Sequence, residues 1–183
     1  MTPHCLEFNL PDSGATQSLG GALARSLPGR KPATADLAAG GELAAGAVVY
    51  LQGELGAGKT TCVRSLLRAL GVAGLVRSPT YTLVETYPLG ALTCVHVDLY
   101  RLQTLTEVDE LGLRDLLGPG CLLLVEWPEK GAEALPPADL DVCLRYAGDE
   151  RRVCLRGLSS IGAEWIGNLG QDTSLSSYVS NLT

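Results

Sequence analysis

Two rhythms of apolar residues run along this chain. Continuous apolar runs stand at 47–51 (AVVYL) and 121–125 (CLLLV), with a less uniform one at 92–98 (LTCVHVD). Runs of this length, bounded by turn residues, read as strands buried on both faces. The second rhythm is helical. Leu19, Leu23 and Leu27 predict a helix over 16–27, and a further helix over 59–70 should end at Gly71. A short strand is expected at 5–9 and an extended stretch at 82–87, followed by a Pro-Leu-Gly-Ala turn at 88–91. Thr104-x-x-Glu107 has the form of a capping box opening a helix to about Leu117. Two more strands, 139–146 and 151–156, flank a hairpin-like turn at 147–150. Apolar strands interleaved with helices predict an α/β fold. Its central, mainly parallel sheet is covered on both faces, and the last hairpin supplies an antiparallel edge.

The 183 residues suit one domain. That domain is expected over 1–157, with a Pro-, Gly- and Ala-rich loop insertion at 28–46 that is long for a plain connection. Residues 158–183 read as a C-terminal extension. Ile161, Trp165, Ile166 and Leu169 predict one helical stripe there, and disorder is expected beyond Gly170.

Composition narrows the function. Aromatics are only 5% of the chain, so the core rests on Leu, Val and Ala. The net charge of −6 argues against a protein that grips nucleic acid by itself, because such binding needs clustered Lys and Arg. The six cysteines form no CxxC pair. Cys94, Cys121, Cys143 and Cys154 lie in short apolar runs and read as small buried hydrophobes, which implies a reducing compartment. Residues 1–15 show no export signal, and no apolar run approaches the ~20 residues of a membrane span. A cytoplasmic protein that does not enter the membrane is expected.

The chemistry is carried by Gly53-Glu54-Leu55-Gly56-Ala57-Gly58-Lys59-Thr60, which matches the phosphate-binding pattern G-x-x-x-x-G-K-[ST]. Phosphate oxygens need several backbone N–H groups converging on one point, and glycines let the chain curl that tightly. The following helix aims its positive end at the phosphates. Lys59 neutralises β- and γ-phosphate charge, and the Thr60 hydroxyl is a hard oxygen ligand for Mg²⁺. Thr61 continues the same turn. With this loop between an apolar strand and a helix, the α/β fold becomes a P-loop NTPase-like three-layer sandwich. No Asn-Lys-x-Asp segment for guanine is present, so ATP and ADP are the expected nucleotides.

Such a loop needs an acid at the end of a neighbouring strand. Asp98 ends TCVHVD and Glu126 ends CLLLVE. Each is a candidate to hold Mg²⁺, directly or through water, or to orient the attacking water. His96 shares a strand face with Asp98 and reads as a structural histidine in first place. Thr80, in Ser78-Pro79-Thr80-Tyr81, is a candidate γ-phosphate sensor or a plain turn residue. Tyr100 and Arg101 are candidates for partner or phosphate contact, and Trp127 for packing or function.

In this order and spacing, GELGAGKTT (53–61), SPTYTLVETY (78–87), HVDLYRL (96–102) and LLVEWPEKG (123–131) resemble the TsaE family, bacterial P-loop ATPases of tRNA threonylcarbamoyladenosine biosynthesis. The resemblance covers about residues 14–156. It implies a protein that does not itself modify adenosine 37 of tRNA but binds a TsaB–TsaD pair and resets it by ATP hydrolysis, meeting tRNA only through that complex. It also implies Lys59 and Thr60 on phosphate and Mg²⁺, Glu126 as a second Mg²⁺ ligand and Asp98 as essential for hydrolysis. The switch segment would be 78–82, and Thr16 would touch the nucleotide. The loop at 28–46 and the tail after Gly157 depart from the family pattern. An alternative class is a P-loop small-molecule kinase, suggested by four arginines between 145 and 156; it lacks an arginine-rich lid in the sequence. A nucleotide-gated binding module without turnover is a third, disfavoured by the intact acids.

Overall fold

The structure, a computed structural model, describes residues 5–29, 46–79 and 81–180. Most of the expected 28–46 insertion and Thr80 lie outside the described residues. Among the described residues seven strands form one sheet: β1 (Cys5–Leu10), β2 (Ala47–Gln52), β3 (Val84–Leu89), β4 (Leu92–Asp98), β5 (Cys121–Glu126), β6 (Leu140–Ala147) and β7 (Glu150–Gly157), in the order β1-β7-β6-β2-β5-β4-β3. The centre, β6-β2-β5-β4, is parallel. The edges are antiparallel: the expected hairpin edge β6-β7-β1 is matched by a second at β3-β4.

The helices α1 (Ser13–Arg25), α2 (Lys59–Leu70) and α4 (Ser160–Leu169) cover one face. The opposite face of β4, β5 and β2 is covered by the connections around short helix α3 (Leu105–Glu110) and residues 127–138. Every residue of β5 is buried, which accounts for its continuous apolar run. Helix α1 starts at Ser13 because the Asp12 carboxylate accepts from the Ala15 N–H at 2.7 Å, which places Thr16 inside the first turn. Gly20 brings α1 against α2: a Cβ there would lie 2.3 Å from the Cys62 carbonyl oxygen.

Three expectations are corrected. Helix α3 has the capping box but stops at Glu110 rather than near Leu117, since Gly112 takes a left-handed φ of 61°. Cys94 and Cys121 are buried as expected, but Cys143 and Cys154 are only half-buried. They sit on the alternate face of β6 and β7, which no helix among the described residues covers. The tail is ordered through Ser180 where disorder was expected. Trp165 of α4 is fully buried and its indole N–H donates to the Leu23 carbonyl at 3.0 Å. Beyond it, a 3-10 turn at Thr173–Tyr178 lies against α1, and Val179 bridges to Phe8 beside edge strand β1.

Candidate functional site

Register assembles the site. Strand β5 lies between β2 and β4, and Asp98 pairs directly with Glu126 while Leu51 pairs with Glu126 on the other side. Both carboxylates therefore end adjacent parallel strands, beside the loop that leaves β2. Within that loop Gly53 has a φ of 136°, and a Cβ on it would stand 2.1 Å from the Leu144 carbonyl oxygen. Only glycine fits so tight a passage. Gly58 caps α2 in a left-handed conformation, leaving the first N–H groups of α2 without side-chain partners and facing the loop.

Lys59 is 4% exposed. Its ammonium donates to the carbonyls of Gly53 at 2.5 Å and Glu54 at 2.9 Å, and lies 3.7 Å from the centre of the Trp127 ring. Burial pulls its pKa down, while Glu126, Glu129 and Asp98 act in the opposite sense. The Thr60 hydroxyl donates to Glu126 Oε2 at 2.8 Å. The other carboxylate oxygen meets His96 Nε2, also at 2.8 Å, with both side chains buried. Among the described residues His96 Nδ1 is buried without a hydrogen-bond partner. Asp98 accepts from the Tyr100 N–H at 3.1 Å.

Lys59, Thr60, Asp98 and Glu126 line a cleft of about 240 Å³ with Leu55, Gly56, Gly58, Thr61, Tyr100 and Trp127. Trp127 takes a left-handed φ of 59° at the end of β5, and its ring meets Tyr100 at 5.0 Å between centroids. Sequence alone left these two aromatics undecided; both are walls of the cleft. The donor set of Thr60, Glu126 and Asp98 is entirely oxygen, and the His96 nitrogen that faces it, Nε2, is already bonded to Glu126, so the set fits a hard divalent cation such as Mg²⁺.

A second cleft lies on the other side of the loop. It is lined by Thr16, Gly56, Ala57, Gly58 and Thr61, together with Leu10, Asp12, Ser13, Asp149 and Arg151, which sequence reasoning missed. The signals available were the Asp-Ser helix start and the hairpin turn; nothing local says they meet at Gly58. Of the expected switch residues, Pro79 joins the end of β4 through backbone bonds: its carbonyl accepts from the Leu83 N–H at 2.6 Å, and the Leu83 carbonyl accepts from the Asp98 N–H at 3.1 Å, while Ser78, Pro79 and Tyr81 do not line the cleft. Arg101 stacks on Tyr81 at 4.2 Å. The arginines that suggested a kinase are on the hairpin: Arg151 stacks on Tyr146, and Arg156 pairs with Asp141 at 2.6 Å.

A glycine turn between a buried parallel strand and a helix, with carboxylates ending the next two strands on one side, β5 and β4, defines an α/β protein of the P-loop class. Comparison with known proteins narrows this further. The profile of "Threonylcarbamoyl adenosine biosynthesis protein TsaE" matches residues 11–154, and the chain belongs to that family. It is 44% identical over 115 residues to the tRNA threonylcarbamoyladenosine biosynthesis protein TsaE of Haemophilus influenzae, covering 63% of this chain and 73% of that one. The protein of the same name from Synechocystis is 40% identical over 134 residues, or 71% and 74% of the two chains. The crystal structure of Bacillus subtilis YdiB superposes with a TM-score of 0.67 at 26% identity, covering 93% of this chain and 97% of that one. Among the described residues no helix is long and apolar enough to cross a membrane.

Proposed function

We propose that this protein is a magnesium-dependent ATPase of tRNA N6-threonylcarbamoyladenosine biosynthesis, acting in the cytoplasm on a TsaB–TsaD pair that it resets between turnovers. The observation that carries this reading is the Glu126 carboxylate held against the Thr60 hydroxyl, beside buried Lys59, in a chain of the TsaE family. The N–H groups of residues 54–61 and the start of α2 receive the phosphates, with Lys59 neutralising their charge. The nucleoside side of ATP lies toward Thr16. Thr60, Glu126 and Asp98 hold Mg²⁺, which supplies positive charge to the phosphate oxygens. Asp98 and Glu126 also position the attacking water. Residues Ser78, Pro79, Thr80 and Tyr81 act as the segment that responds to the γ-phosphate. tRNA is met only through the partner complex, and hydrolysis is slow without it.

The test counts threonylcarbamoylated tRNA per TsaB–TsaD complex with wild-type protein, with Lys59→Ala and with none. Threonine, bicarbonate, ATP and an enzyme that forms the threonylcarbamoyl adenylate are present throughout. Multiple turnovers are expected only with wild type. Equal yields in all three arms exclude the reset role.

A further inference from the structure

Strands β1 and β7 carry a group of sulfur and carboxylate ligands on the face that no helix among the described residues covers. Residues Cys5 and Glu7 of β1 are two apart and share that face. Glu7 stands directly opposite Cys154 of β7, so Cys5 and Cys154 are diagonal neighbours. Their sulfurs are 3.3 Å apart, and one ligand atom from each of Cys5, Glu7 and Cys154 lies within 4.8 Å of the others. All three are at least partly open to solvent. Arg156, the nearest register partner of Cys5, turns its guanidinium to buried Asp141, so its charge is balanced there.

Geometry favours a shared ion over a disulfide. Diagonal positions in an antiparallel pair have Cα atoms about 7–8 Å apart. A disulfide usually spans about 4.4–6.8 Å between Cα atoms with its sulfurs about 2.05 Å apart, and the two sulfurs here stand 3.3 Å apart as free thiols. Two thiolates on a tetrahedral zinc-type ion sit at about 2.3 Å from the metal, hence roughly 3.8 Å from each other. The observed sulfurs need to part by only about half an ångström, a side-chain adjustment, and the Glu7 carboxylate closes the third position.

We propose that Cys5, Glu7 and Cys154 form a binding site for a zinc-class divalent cation, with water as the fourth ligand. Binding exchanges two thiol protons, released to solvent, for two metal–sulfur bonds, with no change of oxidation state. The ion ties β1 to β7. Because β1 ends at Leu10, immediately before Asp12 and Thr16, the tie also holds one wall of the cleft beside the glycine loop. The site is separate from the oxygen-lined cleft at Thr60 and Glu126, and the inference stands or falls independently of the proposed ATPase role.

The test is a titration of the metal-free, full-length, reduced protein with Co²⁺ in the absence of nucleotide. Sulfur-to-cobalt charge-transfer absorption reports thiolate ligation, and the oxygen ligands at Thr60 and Glu126 give no such band. The band is expected to saturate at one cobalt per chain and to vanish on displacement by Zn²⁺. Cys5→Ser and Cys154→Ser each abolish it, Glu7→Gln weakens binding about tenfold or more, and Cys143→Ser leaves it unchanged. Thermal melts without metal establish that each variant is folded. One equivalent of Zn²⁺ raises the wild-type Tm by about 5 °C and leaves Cys5→Ser unmoved. Absence of the band in the wild type, its survival in the Cys5→Ser, Cys154→Ser double variant, or its loss in Cys143→Ser overturns the proposed ligand set.

Discussion

Where β4 and β5 end beside α2, Lys59, His96, Asp98 and Glu126 are all at most 4% exposed. On the outer strands β1, β7 and β6, Cys5, Arg152, Arg156 and Arg145 stand exposed on a face left uncovered among the described residues. The two halves of one sheet thus treat polar groups in opposite ways. In the parallel half both faces are covered, so a charge buried there persists only if a neighbour satisfies it. Glu126 is such a hub: it accepts from Thr60 on one side and His96 on the other, with the Lys59 ammonium nearby. In the antiparallel half most polar residues of the alternate face meet water at no such cost, and buried Asp141 of β6 is balanced there by Arg156 and Gln52. The lesson is that charges concentrated in the covered half mark where the chemistry lies.

Substitution at Glu126 tests this most severely. Glu126→Gln keeps the packing and leaves an acceptor, so hydrolysis should fall about 100-fold with little change in Tm. Glu126→Ala strands the His96 Nε2 and Thr60 donors, and should in addition cost about 2–4 kcal/mol of stability. Urea denaturation of both variants, alongside partner-stimulated phosphate release, separates the two effects. Equal stability would mean that Glu126 is not the hub. Trp127→Ala comes next. It removes the ring beneath Lys59, a contact worth about 1–2 kcal/mol when desolvated, and steady-state ATPase assays should show a fall in kcat/KM of about tenfold.

Smaller effects belong to the solvated periphery. The Asp172 carboxylate bonds Arg25 at 2.9 Å, where it joins the tail to α1. Burial alone would raise its pKa, but bonds from Arg25 and Ser174 outweigh burial and hold it below its ordinary 3.8. The contribution is present in full above that ordinary value and is lost as pH falls through the lowered one. Arg25 is half-exposed, so solvent screening limits the pair to about 0.5–1 kcal/mol; melts of Asp172→Asn should show that loss at pH 7 and none in strong acid. Arg152→Ser, on the uncovered face, should alter stability by less than about 0.5 kcal/mol. A larger loss in the same urea series would show that this face is not simply solvated.

Much of the fold was legible. The strand at Ala47–Gln52, the helix at Lys59–Leu70 with its Gly71 cap and the strand at Cys121–Glu126 declare themselves through local pattern. The length of α3 was misjudged because the Thr104–Glu107 box announces where a helix starts, not where Gly112 breaks it. The tail was misjudged because its polar, serine-rich sequence hides the few anchors that bind it: Trp165 to the Leu23 carbonyl, Asp172 to Arg25 and Val179 to β1. Thr16 lines a cleft whose other walls, Asp149 and Arg151, lie over a hundred residues away along the chain and were not found.

The sequence by itself determined which segments become strand, glycine turn and helix, because hydrogen bonds within a turn or helix and apolar periodicity are local properties. It also supplied the loop, the lysine and the two strand-ending acids. Only the tertiary structure decided that β5 lies between β2 and β4. That order brings Glu126 to Thr60 and His96, seats Trp127 on Lys59 and sets Cys154 beside Cys5. Strand order and register are choices among competing long-range pairings, settled by which arrangement buries both faces of the central strands and leaves no buried charge unpartnered.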